Sequence, residues 1–418
     1  IKEKHMNNKI KAAVAGAVLA SASVANAGIT WDAGEWTVDM NGNVNAFANI
    51  TNADDSNTIA GGLAGKSNND DTTVGIETGL LPSWLGFTAT TRQNDIDTSV
   101  TISFQPNAGG TTSLTKGNAN GGTNETENRQ AFLTFGDKSW GSVKVGKDLG
   151  IFGSTAILND MTLLGVGGGA GGGGGNTTLG GIGSGYLYAD WIGQISYTTP
   201  NMNGFQATLG VMQPWKANST LGSLTTAGIS DTSAGTSDEF GYQGQASYSW
   251  TGDFAGKVWG GFFYQDVKNV GGTAAGDGLG SDETAKAFEA GISTTVANIG
   301  LVAYAYSGDG VGTTILLGDA FDTNGNARDS DGGYVQATYV IPTGTKLGVS
   351  YGISNLDDNA VDAGTTLVEE NERVTVGAYH PLTKHLNLVA EYNRMESKSH
   401  AGLTNESDSI SLGAILFF

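Results

Sequence analysis

Ser409-Ile410-Ser411-Leu412-Gly413-Ala414-Ile415-Leu416-Phe417-Phe418 reads as a β-strand that stops on an aromatic residue. Ile410, Leu412, Ala414, Leu416 and Phe418 share one face, and Ser409, Ser411, Gly413, Ile415 and Phe417 share the other, because strand side chains alternate. A soluble protein seldom ends inside such a strand. Working backwards, the same period recurs in pairs. Residues 372–380 and 386–397 flank a short connection, as do 332–341 and 345–354, 285–296 and 300–308, 240–250 and 257–267, 191–197 and 204–213, and 128–135 and 142–148. A first strand near 36–49, a strand over 72–92 kinked at Pro82, and one over 96–104 complete the series.

Short turns therefore alternate with long connections such as 105–127, 214–238, 268–283, 309–331 and 355–371, which are rich in Asp, Asn, Thr and Gly. The total is about 16 strands, even as in bacterial outer-membrane barrels. Long loops gather on one rim and short turns on the other. The expected fold is an all-β, transmembrane antiparallel barrel. Trp140 and Trp250, beside short turns, suit an aromatic girdle at a membrane interface.

Composition narrows the alternatives. The chain has 418 residues with 66 Gly, only 6 Pro and no Cys. That excludes a disulfide or thiolate-metal scaffold and leaves Gly to serve turns and one low-complexity run. Lys9 and Lys11 precede an apolar run over 12–20 and then Ala25-Asn26-Ala27, a small-x-small cleavage pattern. Residues 1–27 are expected to be a cleaved export signal, with 1–5 an upstream extension and Gly28 opening the mature chain. Nine apolar residues are too few for a membrane-spanning anchor.

Acidic residues number 41 against 21 basic ones, and loss of residues 1–27 takes the formal charge from −20 to about −23. A nucleic-acid partner, which needs clustered Lys and Arg, is excluded on that balance. An exported chain lacking an apolar helix is either soluble or a closed barrel, since only helices and closed barrels satisfy their backbones in a bilayer. The competing reading is a secreted or surface-anchored acidic β-rich adhesin. It would need a repeat at fixed period, and none is present.

The stretches Asn128-Arg129-Gln130-Ala131-Phe132-Leu133-Thr134-Phe135-Gly136 and Trp140-Gly141-Ser142-Val143-Lys144-Val145-Gly146-Lys147-Asp148 resemble the fourth and fifth strands of the Gram-negative general porins. Residues 190–205 look like the hairpin after that family's third loop, and the terminal aromatic strand matches too. The resemblance implies a homotrimer of 16-stranded barrels in the outer membrane of a Gram-negative bacterium. It also implies contact with lipid and lipopolysaccharide, and passive diffusion of small hydrophilic solutes and ions through a pore narrowed by an inward-folded third loop. Here that loop is 149–189, and Asn159-Asp160-Met161 is similar to the family's acidic constriction site.

Leu164 stands where many members place a second acid, and Thr73 and Tyr188 lie near positions where others have Arg. The opposing wall then falls to Arg129, matched through the resemblance, and to Lys144. Parity places Lys144 toward the pore if Val143 and Val145 face out, and it turns Lys147 outward, to a rim or subunit interface. Phe418 is the expected assembly signal. With Asp160 against Arg129 and Lys144, and acidic loops at the mouth, a modest cation preference is expected.

Other motifs carry less. Gly165-Val166-Gly167-Gly168-Gly169-Ala170 meets only the loosest Gly-rich pattern and lacks the strand, helix and acid of a dinucleotide site. A flexible or ligand-free insertion within the third loop is the expected reading. Asp322-Thr323-Asn324-Gly325-Asn326 and Asp329-Ser330-Asp331 look like fragments of a calcium loop without its closing Glu, so a solvated acidic loop is expected. His380, His385 and His400 form no catalytic or metal-binding constellation in sequence. Neither an enzymatic activity nor a cofactor is expected.

Overall fold

The computed structural model describes residues 28–65, 71–109, 126–170, 177–217, 235–270 and 281–418. The export signal expected over 1–27 lies outside them. The strands are β1 (Ile29–Ala33), β2 (Trp36–Ala53), β3 (Thr72–Glu77), β4 (Trp84–Gln93), β5 (Ile96–Gln105), β6 (Glu127–Asp137), β7 (Gly141–Leu149), β8 (Trp191–Thr198) and β9 (Phe205–Met212). They continue as β10 (Gly241–Trp250), β11 (Phe254–Val270), β12 (Ser281–Val296), β13 (Ile299–Asp309), β14 (Asp329–Val340), β15 (Lys346–Leu356), β16 (Val368–Pro381), β17 (Leu386–Ser399) and β18 (Thr404–Phe417).

Consecutive strands pair antiparallel, and β18 returns to β2 from Phe417 opposite Asn43 to Ser407 opposite Ala53, which closes the sheet. Two of the strands continue others end to end. Strands β3 and β4 lie along the upper and lower parts of β2, over 47–52 and 37–43. On the other side of β2, β18 covers 43–53 and β1 covers 36–40. Gly42 and Phe418 exchange backbone hydrogen bonds of 2.9 and 3.0 Å where those two meet. Among the described residues eighteen strands, less the two that extend a neighbour, make a closed wall of 16.

Alternation does the sorting expected from the sequence. Val44, Ile50, Val74, Ile76, Leu133, Ile195, Leu209, Phe288, Val335, Val349, Val376, Ile410 and Leu412 are exposed. On the opposite face, Asn45, Asn49, Ser196, Ser350, Thr375, Asn393, Ser409 and Ser411 are buried. An outer face this apolar suits hydrocarbon, and closure leaves no unpaired edge inside the bilayer. Aromatics ring the short-turn end of the outer face. Trp140 lies 6.4 Å from Phe135, Tyr197 donates to the Trp140 carbonyl, and Trp250 stacks between Tyr248 and Phe254.

The sequence reading stopped the first strand at 49 and missed β1. That strand has five residues, all exposed, so the alternation of Ile29 and Trp31 with Thr30 and Asp32 is too short to stand out. The kink at Pro82 is a full break over 78–83. There the proline carbonyl accepts from Asn43 Nδ2 at 2.9 Å, and Leu80 N–H donates to Gly165 O at 2.9 Å.

Candidate functional site

The segment from the end of β7 to the start of β8 turns at Gly153 (φ 77°) into a helix, Ser154–Asn159, and a 3-10 turn, Met161–Leu164. Asp160 joins the two, and its side chain accepts the Thr162 N–H at 2.9 Å as a cap. The segment is tied to residues on the inner face of many strands. Ile151 and Phe152 N–H donate to Gln243 on β10, and Thr155 Oγ1 to Gln245. Met161 N–H donates to Gln336 on β14, and Tyr334 OH donates to Ala156 O. Gly185 N–H donates to Ser354 on β15, and Thr51 on β2 donates to Ala170 O.

Two buried carboxylates hold the segment most firmly. Glu289 on β12 accepts from Gly153 N–H (2.9 Å), Tyr304 OH (3.0 Å) and Gln245 Nε2 (3.0 Å). Glu391 on β17 accepts from Val166 N–H (2.9 Å), Gly167 N–H (2.8 Å) and Tyr379 OH (2.6 Å). Charge-assisted bonds of this kind contribute about 1.5–3 kcal/mol each. The Gly-rich run is thus not the flexible insertion expected over 165–170. A Cβ on Gly165 would stand 2.0 Å from Glu391 Oε1, and Gly167 adopts φ +61°. Successive N–H groups cradle an anion there as such backbones do, but the anion belongs to the chain itself. Residues 171–176 lie outside the described ones.

Each residue singled out from the sequence has a definite place. Asp160 is 3% exposed, accepts from Tyr186 OH at 2.8 Å, and faces Arg373 of β16 at 3.9 Å. Arg129 sits at a register shift between β5 and β6, bonded to Glu127 (2.8 Å) with its guanidinium 6.0 Å from the Trp191 ring centre. Lys144 turns to the inner face, pairs with Asp148 and lies 4.9 Å from the Phe132 ring. Among the described residues neither Arg129 nor Lys144 is ion-paired with Asp160. Lys147 is exposed on the outer face and donates to Asn128 O at 2.9 Å. Thr73 pairs opposite Thr51 in the wall, Leu164 packs beside Phe47, Val166, Tyr379 and Val389, and Tyr188 N–H donates to Thr314 O.

Glu289, Glu391 and Arg373 were missed in sequence. Their signal was parity: each is a charged residue on the buried face of its strand, in phase with Ala287, Tyr379 or Val389 rather than with the exposed residues. Arg373 is fully buried, reaches Thr375 Oγ1, and through it Asn393 at 2.5 Å.

A second segment, between β13 and β14, corrects the expectation of a solvated acidic loop at 322–326, while Asp329 and Asp331 are exposed as expected. Val311, Leu316, Leu317, Ala320 and Phe321 are buried in one cluster with Phe152, Tyr186 and Leu187. Asp322 is 1% exposed and accepts from Asn324 N–H, Asn326 N–H and Asn326 Nδ2, all at 2.8 Å. Its oxygens close the turn of their own loop. Arg328 reaches Asp362 through two bonds of 2.7 and 2.8 Å and the carbonyls of Asp319 and Phe321 at 2.7 and 2.6 Å. No group of three His, Cys, Asp or Glu among the described residues could hold a metal.

A profile of the Gram-negative porin family matches residues 12–400. Among solved structures, the outer membrane channel DcaP of Acinetobacter baumannii superposes with TM-score 0.67 at 16% identity, covering 94% of this chain and 100% of that one. The anion-selective porin from Comamonas acidovorans gives 0.58 at 17% identity over 92% and 100%. Salmonella typhi OmpF in complex with daunomycin gives 0.59 at 15% over 93% and 100%. At these identities the likeness establishes the fold. No curated protein sequence matches.

Proposed function

The chain belongs to the Gram-negative porin family and is an outer-membrane channel, and from that premise we propose that it is a homotrimeric diffusion pore for small hydrophilic solutes and ions that performs no covalent chemistry. The carrying observation is the segment 150–190, bonded to the inner-face residues of β10, β12, β14, β15 and β17 within a closed wall. In this reading it narrows the lumen. Asp160 acts there chiefly as a positioning residue, because its oxygens serve Thr162 and Tyr186 and its charge is met by Arg373.

A modest cation preference then rests on the excess of 41 acidic over 21 basic residues, much of it in the long-loop rim, rather than on Asp160 alone. On the outer face near that rim, Arg394 pairs with Glu406 (2.5 Å) and Lys398 with Glu370 (2.6 Å) and Glu396 (2.9 Å). Such paired charges suit lipopolysaccharide headgroups. Lys147 belongs in this reading to the rim or a subunit contact.

The test is single-channel recording of the refolded chain with reversal potentials in salt gradients. Stepwise conductance and a weak cation preference that fades as salt rises are expected, because screening over about 8–10 Å limits the rim charges. Asp160→Asn should leave Arg373 unmatched and move the reversal potential toward anions. A soluble chain without conductance would remove the reading, and an unchanged Asp160→Asn channel would remove Asp160 from the constriction.

A further inference from the structure

The short turns that lead into β5, β7, β9, β11, β13, β15 and β17 lie at one end of the wall, so an inner-face residue near the start of β7, β11 or β15 faces the periplasmic half of the lumen. Lys144, Lys257 and Lys346 occupy such positions. Lys144 is matched by Asp148. The other two are not. Lys257 sits in register between Ser249 and Ser293, alternating with exposed Val258 and in phase with buried Trp259. Lys346 sits in register beside Tyr379, its ammonium 4.7 Å from the ring centre. Neither is ion-paired among the described residues.

The acids whose fields reach these lysines make no ion pair with them, because their oxygens are taken up by other donors. Glu289, near Lys257, accepts from Gly153, Tyr304 and Gln245. Glu391 and Asp160, near Lys346, accept from Val166, Gly167 and Tyr379 and from Thr162 and Tyr186. Half-way round the sheet from β11, the wall has the opposite sign. Asp39 accepts from Asn41 at 2.5 Å, and Arg92 is shared between Asp97 (2.8 Å) and Asp137 (2.9 Å).

Resting on the channel reading, we infer that Lys257 and Lys346 form an anion-accepting wall in the periplasmic half of the lumen, below the segment 150–190. A half-buried ammonium without an ion pair is costly, and a passing anion supplies a direct one. Low-dielectric walls concentrate that field. The channel is then asymmetric in charge, with acids dominating the long-loop rim and two lysines that make no ion pair among the described residues on the opposite side of the narrowing. Small carboxylates and other oxyanions entering from the periplasmic side are the solutes this wall recruits.

The test is reversal potential in planar bilayers with the dilute salt placed on either side, the orientation read by one-sided maleimide labelling of an Asp358→Cys channel, since the parent has no Cys. With the dilute side periplasmic, the Lys257→Gln/Lys346→Gln pair should lower the anion-to-cation permeability ratio by about twofold or more. The reversed gradient should change less. Lys257→Arg/Lys346→Arg should keep the parent ratio, and Lys384→Gln, in an exposed short turn, should do nothing. Heat-modifiable mobility checks that each variant is folded. An unchanged ratio in the double Gln channel, or an equal change from both sides, overturns the anion wall while leaving the channel intact. A parent without conductance overturns the channel reading, and this inference with it.

Discussion

Glu391 shows how much a single side chain can hold. It accepts two backbone N–H groups and a tyrosine hydroxyl, all buried. Glu391→Ala would strand those donors at about 1–3 kcal/mol each. The expected phenotype is a folded channel with noisier and larger single-channel steps. Glu391→Gln, which keeps an acceptor oxygen, should fall between it and the parent. Identical steps from all three channels would show that 166–167 does not border the conducting path. Asp160 was legible in the sequence because it sits in a short family-like motif. Glu391 and Glu289 were not, because a carboxylate on an alternating strand reads the same whether it faces water or a backbone nest.

Among elements, the strands were legible and the loops were not, for one physical cause. Burial on one face imposes a period of two on β10 to β18 that composition cannot hide. The 310–328 segment has no period, and its Asp, Asn and Gly conceal Val311, Leu316, Leu317 and Phe321. What fastens it is Arg328 to Asp362. Burial opposes ionisation of Asp362, but the two hydrogen bonds and the charge of Arg328 outweigh it and hold the carboxyl below its ordinary value. A depressed value means that the pair stabilises the loop fully above the unfolded pKa of about 3.9 and loses that contribution as pH falls through the folded value. Protease nicking within 310–328 should therefore be slow at neutral pH and accelerate only in strong acid. Asp362→Ala, which leaves Arg328 buried and unpaired at about 3–5 kcal/mol, should be nicked readily at neutral pH. Equal nicking of parent and variant would exclude the pair as the fastener.

For the whole molecule, closure depends on two strand ends meeting along β2. Phe418 bonds to Gly42, and Phe417 lies 6.2 Å from Trp84 in an edge-on contact. Deleting Phe418 removes that junction. The expected result is less heat-modifiable trimer in the outer membrane at unchanged synthesis, read on unheated against heated gels. Equal trimer yields would make Phe418 dispensable. The two carboxylate anchors also carry a consequence for the order of folding. Gly153 meets its anchor 136 residues later in the chain, and Val166 meets its own 225 residues later. Contacts of such long range form late, because the intervening chain must first be ordered. The segment 150–190 thus docks only after β12 and β17 have taken their places, and an unfinished barrel would be the leakier one.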